Sequence, residues 1–376
     1  MIFESDPDFA PLVRRAVVAL AILAPSVLHG QAVRTVPEGV SCQACAITVR
    51  SLVRLGAADG DGSLSGIPTA VRADGRGRYW VLEWRRPPML FDATGKFTRN
   101  VGRIGQGPGE FLAPFDAIQL PGDSLLIIDA AARRATVFSA DLLARRFVSL
   151  RAQLFSTTVV RWPHEVAANA RPGRTAGSVL QFVSFAGSDA ATAKTFGPES
   201  EPSRVGAMPS HRLAVTGTAR IWAADVHEYR LVEWTASGER GATLKRDPGW
   251  FSGRVPGGLG TPTSPPPPAI QAVHADDDGR LWVFVAVAAP RWHEAWPGNV
   301  RARREVRAQD MAFEKLYSTT IELIDPVEAR VLARRTIDQW VIAALPGRRI
   351  ATYVVDRDGI PRVEISQIEL TGEGRE

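Results

Sequence analysis

The chain has 376 residues, of which 45% are apolar and 23% charged, with 45 basic residues against 40 acidic ones. That apolar fraction supports a sizeable core and excludes a disordered chain. The basic excess does not indicate nucleic acid. Apart from Lys96, Lys194, Lys245 and Lys315 the basic residues are arginines scattered along the sequence, whereas a nucleic-acid footprint needs a clustered face.

At the amino terminus Arg14 and Arg15 precede an apolar run from Ala16 to Leu28, with small residues at Gly30 and Ala32. A basic pair, a short apolar stretch and a small-x-small exit make the pattern of a secretory signal peptide over residues 1–32, cleaved after Ala32. The run is too short to cross about 30 Å of hydrocarbon, so no membrane span is expected and the address is periplasmic or secreted. Glu4, Asp6 and Asp8 sit where a signal is normally basic, and a start codon assigned too early would account for them.

Residues 33–45 form a short segment holding the only two cysteines, Cys42 and Cys45. In an exported chain an even pair reads as a disulfide. Haem attachment needs His where Ala46 stands. A thioredoxin-like pair needs a helix beginning at the first Cys, and the sequence from Ala46 to Leu55 alternates as a strand does. A lipid anchor on Cys42 would need a better lipobox than Gly39-Val40-Ser41, closer to the apolar run.

From residue 67 one phrase recurs: a turn with Gly or Asp, an apolar strand often holding Trp, then a second apolar strand ending in a polar turn. Trp80, Trp222 and Trp282 occupy equivalent places in three copies, which favours packing between neighbouring repeats over an aromatic cage. Gly75 and Gly122 are 47 residues apart, and Gly122 and Gly217 are 95 apart. A degenerate repeat must fill the longer gap, with its best strand at Ser178–Phe185. That makes six repeats of a length and strand content that define propeller blades. The chain is therefore read as all-β, a six-bladed β-propeller over residues 46–372. The strand Ala46–Leu55 is available to pair with the last blade and close the ring.

The run Gly102-Arg103-Ile104-Gly105-Gln106-Gly107-Pro108-Gly109-Glu110-Phe111, with Pro114 after it and Asp129, Arg134 and Val137-Phe138 in the next blade, resembles the blade-linking motif of NHL-type bacterial propellers. The resemblance implies the propeller fold and carries no catalytic set with it.

Candidate chemistry is sparse. The Gly102–Gly109 run lacks the helix and the Lys-Ser/Thr pair of a phosphate loop and reads as an interblade turn. Asp59-Gly60-Asp61-Gly62-Ser63 starts like a calcium loop, but Leu64 and Ala70 stand where Gly and Glu are required, so it reads as a polar turn. Asp276-Asp277-Asp278-Gly279 reads as a solvated hairpin turn. The histidines show no ligand spacing, so no metal site is assigned and no cofactor is predicted, while a divalent metal bound in the channel stays open.

Two stretches break the repeat. Residues 248–268 form a Gly/Pro-rich insert with Trp250 and Phe251. Residues 290–316 carry Trp292, His293, Trp296 and Arg301, with a short helix capped by Asn299. Function on a repeat scaffold usually sits in such loops, against the alternative of a flap that only covers the channel. These six residues are the candidate ligand contacts, and the inserts are expected to fold over one end of the channel and line one pocket. The reading is of a monomeric binding module for a small molecule, glycan or protein. The alternative is a metal-assisted lyase- or lactonase-like enzyme on the same fold.

Overall fold

The computed structural model describes residues 33–161, 165–171, 179–197, 211–217, 220–251, 263–296 and 311–372. The signal segment 1–32 lies outside the described residues. Six four-stranded antiparallel sheets follow one another along the chain. Blade one comprises Ala70–Ala73, Tyr79–Leu82, Met89–Phe91 and Phe97–Asn100, and blade two Pro114–Gln119, Leu125–Asp129, Arg134–Phe138 and Ala144–Ser149. Blade three comprises Gln153–Arg161, Glu165–Arg171, Val179–Ser184 and Ala191–Phe196, so the degenerate repeat has the full complement of strands. Blade four is His211–Val215, Ile221–Asp225, Arg230–Trp234 and Arg240–Lys245. Blade five is Ala269–Ala275, Leu281–Ala288, Tyr317–Asp325 and Arg330–Ile337, and blade six begins with Trp340–Leu345, Arg349–Val355 and Pro361–Thr371. The first strand of each blade touches the first strand of the next, and that of blade six touches that of blade one, so these inner strands ring a central channel.

Burial follows from this arrangement. A strand in the middle of a blade is covered on both faces by neighbouring blades, so it cannot alternate between apolar and polar residues. Tyr79–Leu82 and Leu125–Asp129 are buried throughout, whereas the outer strand Phe97–Asn100 is largely exposed. Separate apolar clusters fill the wedges between blades. One, between blades five and six, is built on Trp282, Phe284, Leu323 and Ile350. Trp80, Trp222 and Trp282 are all buried, as interblade packing requires. Asp74 and Asp276 accept the indole N–H of Trp80 and Trp282 at 3.2 and 3.0 Å. Asp276 is itself buried, so its turn is not simply solvated but anchors the tryptophan beneath it.

The ring closes where the sequence indicated. Ala46–Leu55 is the fourth strand of blade six and pairs antiparallel with Pro361–Thr371, from Ala46 opposite Thr371 to Leu55 opposite Val363. The join is tight at its end, where a Cβ on Gly372 would lie 1.9 Å from the Ala44 carbonyl oxygen. The preceding segment has a structural role that the sequence did not show. Val33–Thr35 adds a fifth, parallel strand to the rim of blade four, Val40 bridges to Val331 in blade five, and Cys42 and Cys45 are joined by a disulfide just before the closing strand. The amino-terminal segment is thus a strap running along three blades.

The scattered arginines also have a use. Arg72 donates to the Ala117 carbonyl, Arg146 to that of Gly187, Arg335 to that of Ile47 and Arg362 to that of Gly56, each link crossing between blades or from a blade to the closing segment. The Gly102–Gly109 run is an interblade turn: Arg103–Ile104 pairs in parallel with Glu110–Phe111, and Arg134 donates to the carbonyls of Gln106, Gly107 and Glu110. The Asp59–Ser63 stretch is a turn closed by Ala57 N–H to the Gly62 carbonyl.

Candidate functional site

Strand order decides which loops share a face. In blade five the chain enters Ala269–Ala275 from the first insert, turns at Asp276–Arg280 on the opposite face, and returns along Leu281–Ala288 into the second insert. Both inserts therefore leave the same face of the disc. Every blade is entered from that face, so the first residues of the inner strands mark the mouth of the channel there.

The described part of the second insert consists of a 3-10 turn at Trp292–Ala295 and a short helix at Phe313–Leu316. Its side chains build an aromatic cluster with Trp340 and Tyr353 of blade six, and half-buried Trp292 and Trp296 pack against it. Trp340 is the first residue of an inner strand, which sets the cluster beside the channel mouth. The Phe313 and Trp340 rings stack at 5.5 Å, and Tyr317 lies 5.7 Å from Trp340. The buried Trp340 indole N–H has no acceptor among the described residues. Burial pushes the hydroxyls of Tyr317 and Tyr353 up to about 12, with Glu314 and Glu83 adding to the effect at Tyr353. The cluster is therefore largely apolar, with hydroxyls that stay protonated as donors.

The remaining predicted contacts divide. His293 is exposed, with its ring edge-on to Trp292 at 6.1 Å. Phe251 is 5% exposed and belongs to the core between blades four and five. Trp250 packs against that core, 6.2 Å from Tyr229, with the Arg334 guanidinium 5.7 Å above its ring. Trp250 and Phe251 thus join one apolar cluster and Trp292 and Trp296 another, so the expected single pocket is not built from these side chains. The cause is chain order: Trp250 and Phe251 follow directly from the outer strand Arg240–Lys245 at the rim, whereas the second insert rises from the two middle strands of blade five. Residues 252–262, Arg301 and the helix expected at Asn299 lie outside the described residues.

Sequence reasoning missed a buried charge cluster behind Trp250. Glu322 of blade five, fully buried, accepts Arg246 at 3.1 Å, Arg334 at 2.6 Å and the Tyr229 hydroxyl. The same two arginines hold the strap, Arg246 through the Pro37 carbonyl and Arg334 through that of Glu38, both at 2.6 Å. Burial first, then the Glu322 carboxylate, holds the Tyr229 hydroxyl protonated far above its usual range. The sequence signal was available, because Glu322 is a single charge inside the apolar run Ile321–Ile324.

Cavities among the described residues lie between blades. One of about 310 Å³ separates blades three and four and is lined by Leu180, His211, Asp225, Arg230, Trp234 and Arg240 among others. Another, of about 520 Å³ at the face opposite the inserts, runs past Arg34, Arg220, Glu233 and the Asp276–Gly279 turn. Neither is lined by any of the six predicted contacts. Among the described residues no group of three or more His, Cys, Asp or Glu could hold a metal ion.

Residues 63–148, which span the first two blades, match the DUF5128 family model, described as a six-bladed β-propeller. No curated protein matches the chain in sequence. Among solved structures, a DUF4221-family protein from Bacteroides vulgatus aligns over 87% of this chain and 99% of its own, with a TM-score of 0.59 and 8% identity. A candidate exported protein from Bacteroides fragilis aligns over 90% and 99%, with a TM-score of 0.52 and 11% identity. At these identities the likeness concerns the fold alone, and on fold the family model and the six sheets agree: the chain is a six-bladed β-propeller.

Proposed function

We propose that this chain is an exported binding module whose ligand is held at the insert-bearing mouth of the propeller. The observation that carries the reading is the placement of Trp292 and Trp296, half-buried on an aromatic cluster beside the start of an inner strand. The blade strands are committed to packing, so a ligand surface has to come from the loops. Flat aromatic rings offer a large contact area at low entropic cost and suit a sugar ring, an apolar small molecule or a protein side chain.

Export is supported by the signal-like segment and by the disulfide, which fits an oxidising compartment. One structural neighbour is itself a candidate exported protein. No helix among the described residues is long and apolar enough to cross a membrane. The metal-assisted alternative has no described ligand set on which to rest.

Glycan and small-molecule arrays probed with the mature protein, followed by titration of the hits, test the reading. Replacing Trp292 and Trp296 together by Ala should weaken a true ligand at least about thirtyfold, the loss of about 2 kcal/mol that a single hot-spot aromatic causes. An unchanged Kd in a folded double variant would place the ligand elsewhere.

A further inference from the structure

Inner-strand residues from four consecutive blades form a polar arc around the channel. Arg72 of blade one pairs with Asp116 of blade two at 2.7 Å and donates through Nε to the Ala117 carbonyl at 3.2 Å. Thr157 of blade three donates to the other carboxylate oxygen of Asp116 at 2.9 Å. The Asp116 charge is therefore already matched by one arginine and one hydroxyl.

Arg212 of blade four ends the arc, and among the described residues no ion pair answers its charge. Its Nε is buried and has no hydrogen-bond partner among the described residues. The charged group that acts on it is another cation, Arg72. In a ring of six, blades one and four stand opposite each other, so these two guanidinium groups can sense one another only through the channel. Burial, reinforced by Arg72, lowers the Arg212 guanidinium to about 10, which still leaves it charged at neutral pH. A half-buried cation facing a second cation, with no counter-charge among the described residues, is a costly arrangement for a fold to keep.

We propose that the channel binds a small oxyanion, a carboxylate or phosphate group, held by Arg212 on the side facing Arg72. The guanidinium fork matches both groups in a bidentate manner, and the arrangement supplies one more positive than negative charge along the arc. The site is independent of the aromatic mouth, because it rests on inner strands of blades one to four, whereas the Trp292 cluster sits mainly over blades five and six.

The test uses inorganic phosphate and acetate as probes on the mature protein, with chloride holding the ionic strength constant. Saturable stabilisation in thermal scanning, with a matching calorimetric isotherm, is expected for one of the two, and the two arms separate a phosphoryl from a carboxylate ligand. Arg212→Gln should abolish the anion-dependent shift while melting no lower than the parent in chloride, since it removes an unmatched cation. Arg212→Lys keeps the charge without the fork and should weaken binding on the order of tenfold, and it serves if the glutamine variant fails to fold. Equal stabilisation of parent and Arg212→Gln, or no stabilisation of the parent by either anion, would overturn the proposal.

Discussion

Replacing Glu322 by glutamine should destabilise the junction of blade four, blade five and the strap more than any exposed charge change. Glutamine keeps the shape of the side chain but removes the charge that Arg246 and Arg334 share, and both Arg246 and Glu322 have fully buried side chains. Breaking a buried pair from one side leaves an uncompensated charge and costs about 3–5 kcal/mol. Unfolding entropy of about 2.1 cal/mol/K per residue, over roughly 290 described residues, gives about 0.6 kcal/mol/K, so the loss corresponds to a fall in Tm of about 5–8 °C. Circular dichroism melts of the parent and variant measure it, with Glu364→Gln as the control because its partner Arg54 is mostly exposed at 3.6 Å. Removing all three charges together, as Arg246→Met, Glu322→Leu and Arg334→Met, should recover part of the loss, since an apolar replacement of a whole buried cluster is often near neutral. A Glu322→Gln variant melting within about 1 °C of the parent and no lower than the control would refute the reasoning.

Acid should weaken the fold through two histidines. Burial lowers the folded-state affinity of His211 and His274 for protons, against the raising influence of Asp225 on the first and Asp276 on the second. The unfolded chain then binds more protons below about pH 6.5, so this stability is present above that pH and lost as the pH falls through it. His274→Gln should accordingly reduce the difference in Tm between neutral and mildly acidic buffer, and an unchanged difference would count against the assignment. Mass spectrometry of protein exported by its native host should find a mature chain beginning at Val33, and recovery of an intact 1–32 segment on that protein would end the export reading.

The blade count, the closing strand and the packing role of the tryptophans were legible without coordinates because each is a local pattern. A strand buried on both faces writes itself as a short apolar run, and a blade as such runs between glycine and aspartate turns. Even the degenerate third blade could be located, since the ring leaves no room for a gap of two repeats without strands. Ala46–Leu55 was readable as the closing strand because its alternation marks an edge position with one covered face.

What the sequence by itself determined is therefore the architecture. What only the tertiary structure decided is which residues meet. Val33–Thr35 is too short to carry a period of its own, and it pairs with Arg240–Lys245 from some two hundred residues away. Phe251 looked like a contact residue because it opens an irregular insert, yet the loop tucks it into the core between blades four and five. Arg72 and Arg212 are ordinary strand residues in sequence, 140 positions apart. They confront each other only because six wedges close a circle and turn opposite inner strands toward one axis. Periodicity records how each strand is covered by its neighbours, but distances across the ring follow from closure, to which every blade contributes and which no single segment encodes.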